Sequence, residues 1–373
     1  MKLDIYPFAK LREVLSGINP NSEYDEIDLT IGEPKFGAPK FIQDILKNNT
    51  DSLGKYPKIA GNDILIKSIL GFVKKRYDID VKPEQLCTTL GTKEVCFNFP
   101  IYYLYDKQNP TLSFTNPFYP IYEGAGVVSK ANIIYIDLNK ENNFKPTLST
   151  EDLEKTNLVI LNFPNNPTST ILSMKELESW VNLALKYDFF LINDECYSEI
   201  YRDVPPPSLL QASLNIGNSK FKNIAVINSL SKRSSTPGIR SGYIIGDERV
   251  LVGYKKYRTF VGCAQPEPLQ IASASAWSDE EHVREFRNFY NQNFKLAEEI
   301  LNITVPKAGF FLWLYVGDDI NFAKTLFQKE SIKVLPGSFM GKNNAGKGFV
   351  RIALVYKSEI IKSALSRMSK YIP

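Results

Sequence analysis

Ser229-Leu230-Ser231-Lys232-Arg233-Ser234-Ser235-Thr236-Pro237-Gly238-Ile239-Arg240-Ser241-Gly242 follows the short apolar run Ile224-Ala225-Val226-Ile227-Asn228. The length and β-branching of that run predict a strand buried on both faces, so Lys232 falls where a strand ends. Pro237-Gly238 forces a turn, and Ser241 to Gly246 resumes as a strand, which returns Arg240 to the same end of the sheet. A lysine, an arginine and several hydroxyls then converge. Such a set suits an aldehyde that carries a phosphate: the amine condenses with the carbonyl, while the arginine fork and the Ser229 and Ser231 hydroxyls take the phosphate. Pyridoxal phosphate is the obvious candidate. The plainer alternative is a basic, serine-rich surface loop.

Two upstream strands point to the same place. Leu158 to Asn162 ends in Phe163-Pro164-Asn165-Asn166-Pro167-Thr168, and a strand over 189–193 ends at Asp194-Glu195-Cys196-Tyr197. Between them, Ser173 and Glu176 form a capping box that opens a helix with Leu177, Trp180, Val181, Ala184 and Leu185 on one face. Ligands of open α/β sheets lie outside the carboxyl ends of strands, so Asn166, Asp194 with Tyr197, and Lys232 are expected to share one site. Earlier still, the strand Leu86 to Leu90 delivers Gly91-Thr92-Lys93 to a helix start, where exposed N–H groups favour an anion by roughly 0.3–1 kcal/mol. Tyr119, between Pro117 and Pro120, is placed either to stack on a flat heterocycle or to fill the core. Lys55 to Gly61, with Tyr56-Pro57, reads as an aromatic turn between helices, with packing as the simpler role.

Composition narrows the classes. The chain has 373 residues, enough for two domains or for a large one carrying a smaller one. A net charge of +4 with interspersed signs gives no reason to expect a nucleic-acid or membrane surface, but leaves room for acidic metabolites. Cys87, Cys96, Cys196 and Cys263 match no metal-binding spacing, and a single histidine, His282, removes most zinc chemistry, so free thiols in a reducing cytosol are expected and no metal. The N-terminus lacks the apolar core of a signal peptide, and no run reaches membrane-spanning length, which predicts a soluble, cytoplasmic protein.

From residue 277 onward the character changes to a smaller α+β unit. Ser278 and Glu281 suggest a second capping box opening a long helix along Val283, Phe286, Tyr290, Phe294, Ala297 and Leu301, with His282 solvated in its first turn. Strands follow at Phe310 to Val316 and Phe349 to Val355. Gly341 with Gly346-Lys347 imitates a nucleotide-binding loop, but Gly348 stands where a hydroxyl is required and no helix follows, so a mobile loop is expected.

Taken in order, Ile31-Gly32-Glu33-Pro34, Tyr56-Pro57, Gly91-Thr92, Pro117-Phe118-Tyr119-Pro120, Asn165-Asn166-Pro167-Thr168, Asp194 to Tyr197, Ser231-Lys232 with Arg240, Pro306 to Trp313 and Arg351 resemble the class I/II (fold type I) pyridoxal-phosphate aminotransferases over nearly the whole chain. Among these the wording of Asn116 to Gly124, Asp194 to Tyr201, Ser229 to Gly242, Tyr257-Arg258-Thr259, Gly262-Cys263-Ala264, Trp277 to Val283 and Arg351 to Val355 is most similar to the N-succinyldiaminopimelate aminotransferases. Ser169 departs from the family, which usually has glycine there, and puts the local turn in question.

The resemblance implies an α/β fold: a large domain over 46–280 with a mostly parallel sheet between helices, and a smaller α+β domain from 1–45 and 281–373. It implies that Lys232 links covalently to pyridoxal 5'-phosphate and then moves protons, a step worth about 10²–10⁴-fold. Asp194 would keep the pyridine nitrogen protonated; Asn166 and Tyr197 would bond the ring oxygen; Tyr119 would stack on the ring. Arg240, Ser229, Ser231 and the Gly91-Thr92-Lys93 helix start would hold the phosphate, with Tyr56 reaching across a homodimer to the neighbouring site. Arg351, helped by Gly32, would grip the substrate α-carboxylate. For a succinylated acceptor with glutamate as donor, Lys35, Arg233 and Arg258 are candidates to read the distal acids, although Arg233 and Arg258 serve equally well as packed residues. An aspartate or broad-specificity aminotransferase, a β-lyase or decarboxylase of the same fold, and a non-enzymatic cofactor-binding regulatory module are the alternatives.

Overall fold

The computed structural model describes residues 3–372. Its strands, in chain order, are β1 (Ile27–Asp28), β2 (Leu86–Thr89), β3 (Thr111–Asn116), β4 (Asn132–Asp137), β5 (Leu158–Asn162), β6 (Phe190–Asp194), β7 (Ile224–Ser229), β8 (Gly242–Gly246), β9 (Phe311–Tyr315), β10 (Ile332–Lys333), β11 (Leu335–Pro336) and β12 (Phe349–Ala353). Seven of them form a central sheet in the order β2-β8-β7-β6-β5-β3-β4. Only β8 runs against its neighbours, as the tight return from β7 requires. Side chains of β6 alternate between the two faces: Leu191 joins a core with Phe72, Leu177, Trp180 and Trp277, while Phe190 and Ile192 join one with Phe99, Phe114 and Tyr254. Both faces are therefore covered by helices, which is why β3, β5, β6 and β7 are buried at every residue.

A separate apolar core gathers Leu29, Phe294, Leu312, Leu326 and Ile352 around the antiparallel sheet β11-β12-β9. The long helix Glu281–Leu301 links this unit to the central sheet and buries Val283, Phe286, Tyr290, Phe294, Ala297 and Leu301, as their spacing predicts. The Ser173–Glu176 capping box is present in both directions at the helix Met174–Tyr187. Its expected counterpart at Ser278 and Glu281 is not: the helix Glu267–Ser278 runs through Ser278, whose hydroxyl instead bonds Ser68 at 3.1 Å. β1 is short: it pairs with β10 at Ile27 and Asp28, and Asp28 Oδ1 then accepts from the Thr30 backbone at 2.9 Å, which turns the chain. Nor does the Gly341–Gly348 turn hang free. Asn116 exchanges two hydrogen bonds with the Lys342 backbone, at 3.0 and 3.1 Å, and Lys342 Nζ pairs with Asp4 and Glu123. No helix among the described residues is long and apolar enough to cross a membrane.

Candidate active site

β5, β6 and β7 are adjacent and parallel, so their carboxyl ends open on one cavity of about 360 Å³. Asn166, Asp194, Tyr197, Ser229, Ser231, Lys232 and Arg240 line it, joined by Thr92 and Lys93 from the helix start after β2 and by Gly32 and Arg351 from the smaller unit. The sheet-end argument thus places these side chains together. A larger groove of about 740 Å³ lies elsewhere, between residues 36–41 and the long helix; it contains neither Asp194 nor Lys232.

Lys232 sits in a four-residue helical turn, Leu230–Arg233, that continues directly from β7 and is capped by Ser229, whose hydroxyl accepts from Ser231 N at 3.1 Å. Its Nζ donates to the Gly32 carbonyl and lies 5.7 Å from the centre of the Phe310 ring. Burial, together with the nearby Arg351 and Arg240 charges, lowers its pKa from the ordinary lysine value and favours the nucleophilic free amine.

Asp194 is buried at the end of β6, and burial pushes its carboxyl up to about 6. Oδ1 accepts from Cys196 N at 3.1 Å; Oδ2 receives Tyr122 Oη at 3.4 Å and Cys96 Sγ at 3.8 Å. A buried carboxylate that forms no ion pair among the described residues suits a ligand that brings a cation, such as a protonated ring nitrogen. Tyr122 and Cys96 are not marked as site residues by the sequence; Tyr122 lies in the Asn116 to Gly124 run, but nothing local says that its hydroxyl turns toward Asp194. Asn162 was missed as well. Its side chain donates to Asp194 O at 2.8 Å and accepts from Asn166 N at 2.9 Å, fixing two strand ends against each other.

Arg240 stands in the left-handed region at φ 54°, and its guanidinium donates to Leu90 O and Pro237 O, each at 2.7 Å. Gly91 lies beneath it at φ 79°, a backbone conformation that favours glycine, and a Cβ there would come within 2.9 Å of Arg240 Nη2 and push the guanidinium aside. Arg240, Thr92, Ser229 and Ser231 make a concave donor set of the kind that holds a phosphate. Tyr119 lines the same cavity, edge-on to Tyr122 at 5.9 Å.

Arg351, from β12, reaches across to donate to Asn166 Oδ1 at 2.7 Å and Thr30 O at 2.5 Å, with its guanidinium 4.4 Å over Phe311. It is buried, its Nε has no partner, and no carboxylate among the described residues pairs with it. Burial presses its pKa down to about 10, which still leaves a cation at neutral pH.

The three proposed readers of distal acids are not brought to the cavity. Arg233 is buried and spends its guanidinium on Ala276 O at 2.6 Å, Asp279 O at 3.0 Å and Glu280. Arg258 is buried against Glu94, with Nε and Nη2 bonds of 3.0 and 2.9 Å, and bonds Cys263 O. Lys35 does not line the cavity but pairs at 3.0 Å with Glu33, which does. Lys35 and Arg233 each lie within two residues of a cavity residue in sequence, and the backbone turns them away from it. His282 is likewise not solvated: it is 5% exposed and bonded at both ring nitrogens. Tyr56 is fully exposed and touches no cavity group of its own chain. At Ser169 the turn keeps the left-handed φ of 56° that glycine adopts readily, and its hydroxyl offsets the strain by donating to Phe311 O at 2.9 Å. All four cysteines are free thiols.

A nucleophilic lysine, a buried carboxylate, a phosphate cradle and an unpaired buried arginine at the ends of a mostly parallel sheet define a pyridoxal-phosphate-dependent transaminase, whose substrates are amino acids and 2-oxo acids. Residues 24–368 match the family model Aminotransferase class I and II, and the chain belongs to that family. It is 31% identical to an LL-diaminopimelate aminotransferase of Natranaerobius thermophilus, over 98% of this chain and 96% of the relative. Among solved structures, it is similar to the aminotransferase AspB of Helicobacter pylori, at 50% identity with TM-score 0.98 over 100% of this chain and 99% of that one. It also resembles an aminotransferase of Neisseria meningitidis, at 37% identity with TM-score 0.94 over 99% and 98% of the two chains.

Proposed function

We propose that the enzyme transfers an amino group between glutamate and a pimelate-type 2-oxo acid carrying further carboxylates, N-succinyl-2-amino-6-oxopimelate first among them. The single observation that carries the reading is Arg351: a buried guanidinium with an unpartnered Nε and no carboxylate of its own, in the cavity that holds Lys232. A carboxylate common to donor and acceptor supplies the missing partner in both half-reactions. Tyr6, Phe8, Phe118, Leu335 and Met340 add apolar wall suited to a methylene chain, and Lys93 adds a positive charge with no ion-pair partner among the described residues. Two relatives, at 31% and 30% identity, are named LL-diaminopimelate aminotransferase, which supports a pimelate-type substrate.

Pyridoxal phosphate, when bound, supplies an electron sink that acidifies the substrate Cα–H. In our reading Lys232 would hold the cofactor through its amine and, when free, would serve as the general base that takes the Cα proton. Asp194 would keep the ring nitrogen protonated, Asn166 and Tyr197 would hydrogen-bond the ring oxygen, and Tyr119 would stack on the ring. Arg240, Ser229, Ser231 and the Gly91 to Lys93 helix start hold the phosphate, and Gly32 helps Arg351 orient the carboxylate. The exposed Tyr56 reaches the neighbouring site of a homodimer. A large unit over 46–280 and a small one from 1–45 and 281–373 are part of the proposal, supported by their separate apolar cores, with Ile42 packing on the larger. So is a cytoplasmic location, which suits the free thiols.

Comparing kcat/KM for the succinylated acceptor, its N-acetyl analogue, unsubstituted LL-diaminopimelate in the reverse direction and oxaloacetate tests the reading. The succinylated acceptor is expected to lead. Preference for oxaloacetate would make the enzyme an aspartate aminotransferase, and preference for unsubstituted LL-diaminopimelate would remove the succinyl group.

A further inference from the structure

His282 is the chain's only histidine, and no part of the chemistry above uses it. Its Nδ1 is bonded to Asp279 Oδ1, and its Nε2 lies 2.8 Å from the hydroxyl of Ser234, two residues after Lys232. The composition is that of a hydrolase triad. The geometry is not, because Ser234 is wholly buried and no scissile bond can reach it.

The bonds instead clamp the turn that carries Lys232. Ser234 N closes that turn on Leu230 O at 2.8 Å, and Arg233 binds the carbonyls of Ala276 and Asp279 together with Glu280. Residues 276–282 are where the chain leaves the central sheet's helices and enters the long helix. Eleven residues further along that helix, about 16 Å at 1.5 Å per residue, Asn293 donates to Leu354 O at 3.0 Å and Tyr356 O at 2.8 Å, just past the strand that carries Arg351. One stiff helix therefore touches the lysine's turn at its first residues and the arginine's strand near its middle.

We propose that His282, seated on Asp279 and reaching Ser234, is a positioning residue for Lys232, which it ties through the long helix to the strand that carries Arg351. A carboxylate accepts only, so Nδ1 carries the hydrogen and Nε2 accepts from the Ser234 hydroxyl. Ser234 in turn accepts from Arg233 Nη1 at 3.4 Å. Protonating His282 would put a donor at Nε2, reverse the Ser234 hydroxyl and strip it of an acceptor. Burial and then the Arg233 charge oppose that protonation, while Asp279 favours it. The other charged residues lining the groove beside the ring are Lys40, Lys357 and Glu359 across it, and Glu281 and Glu285 on the helix itself. Phe41 and Phe286 cover the ring at 5.4 and 6.0 Å.

The proposal rests on Lys232 being the cofactor's lysine, and that reading fails separately if borohydride fixes the cofactor of the unaltered enzyme at another lysine. With a single histidine, ¹⁵N labelling reads both ring nitrogens without assignment. The holoenzyme is expected to show the neutral tautomer protonated at Nδ1, with an Nε2 resonance that moves when maleate, a dicarboxylate that cannot react, fills the Arg351 cavity. Ser234→Ala is expected to lower kcat roughly ten- to a hundredfold, since a misplacement of about 1 Å costs on the order of 100-fold, with little change in KM. It should also shift the pH midpoint of the cofactor's visible band, and Ser234→Thr should restore both. The proposal is overturned if the histidine resonance ignores maleate, or if Ser234→Ala and His282→Gln lower Tm while leaving the band midpoint and kcat unchanged.

Discussion

Arg351 Nη1 lies 2.7 Å from Asn166 Oδ1, so the unpaired arginine of β12 and the asparagine that follows β5 hold each other in place. They are 185 residues apart in sequence, one from the antiparallel sheet and one from the central sheet. Anything that moves β12 relative to the end of β5 must move this bond, which couples the proposed carboxylate and cofactor subsites.

Arg351→Lys is expected to damage both half-reactions together. A lysine brings charge but neither the planar fork nor the second hydrogen bond, so kcat/KM for donor and acceptor should fall by comparable factors, about 10²-fold or more for the loss of two charge-assisted bonds. Steady-state kinetics with each substrate checks this. Failure with one substrate alone would move Arg351 to a side-chain subsite.

Lys232→Ala should abolish turnover and the borohydride-reducible visible band. Among the described residues, the lysines that line the cavity with Asp194 are Lys232 and Lys93, and Lys93 is exposed at the helix start. Mass spectrometry after reduction locates the attachment: a label on Lys93 in the variant, at unchanged yield, would show the wrong lysine had been chosen.

Asp194 makes the value of the cofactor depend on pH. Burial raises its folded pKa to about 6, above the 3.8 of an ordinary aspartate. Between those values the folded protein binds the extra proton, so in the cofactor-free protein Asp194 favours the fold at low pH, and that contribution is lost as pH rises through about 6. A cationic ring nitrogen offsets the cost. The rise in Tm on adding pyridoxal phosphate should therefore be larger at pH 7.5 than at pH 5, and Asp194→Asn should flatten the difference. Calorimetry of both proteins at the two pH values decides it, and an equal rise at both in the parent protein would remove Asp194 from the ring nitrogen.

Arg258→Ala should cost stability and leave substrate preference alone. It strands Glu94 in a buried pair, a loss of about 3–5 kcal/mol, and it lines no part of the cavity. Denaturant unfolding measures the first effect, and the ratio of kcat/KM between two acceptors measures the second. A changed ratio at unchanged stability would return Arg258 to specificity.

The sequence by itself determined what is local. Strand ends are marked by the change from a β-branched run to turn residues, so Asn166, Asp194 and Lys232 could be named before their strands were known to be neighbours, and the Ser173–Glu176 cap reads directly because both partners lie within one helical turn. The tertiary structure decided whatever depends on where a backbone turns. Arg233 and Arg240 belong to one basic, serine-rich segment and look interchangeable in sequence, yet one is buried against Ala276 to Glu280 and the other faces the cavity over Gly91. The same holds for His282, whose burial depends on a hydroxyl 48 residues away, and for Tyr122, Cys96 and Asn162, whose meeting with Asp194 follows only from how the helices and strands pack. Side-chain chemistry is written along the chain, but direction is set by packing, and packing is a property of residues that the sequence keeps far apart.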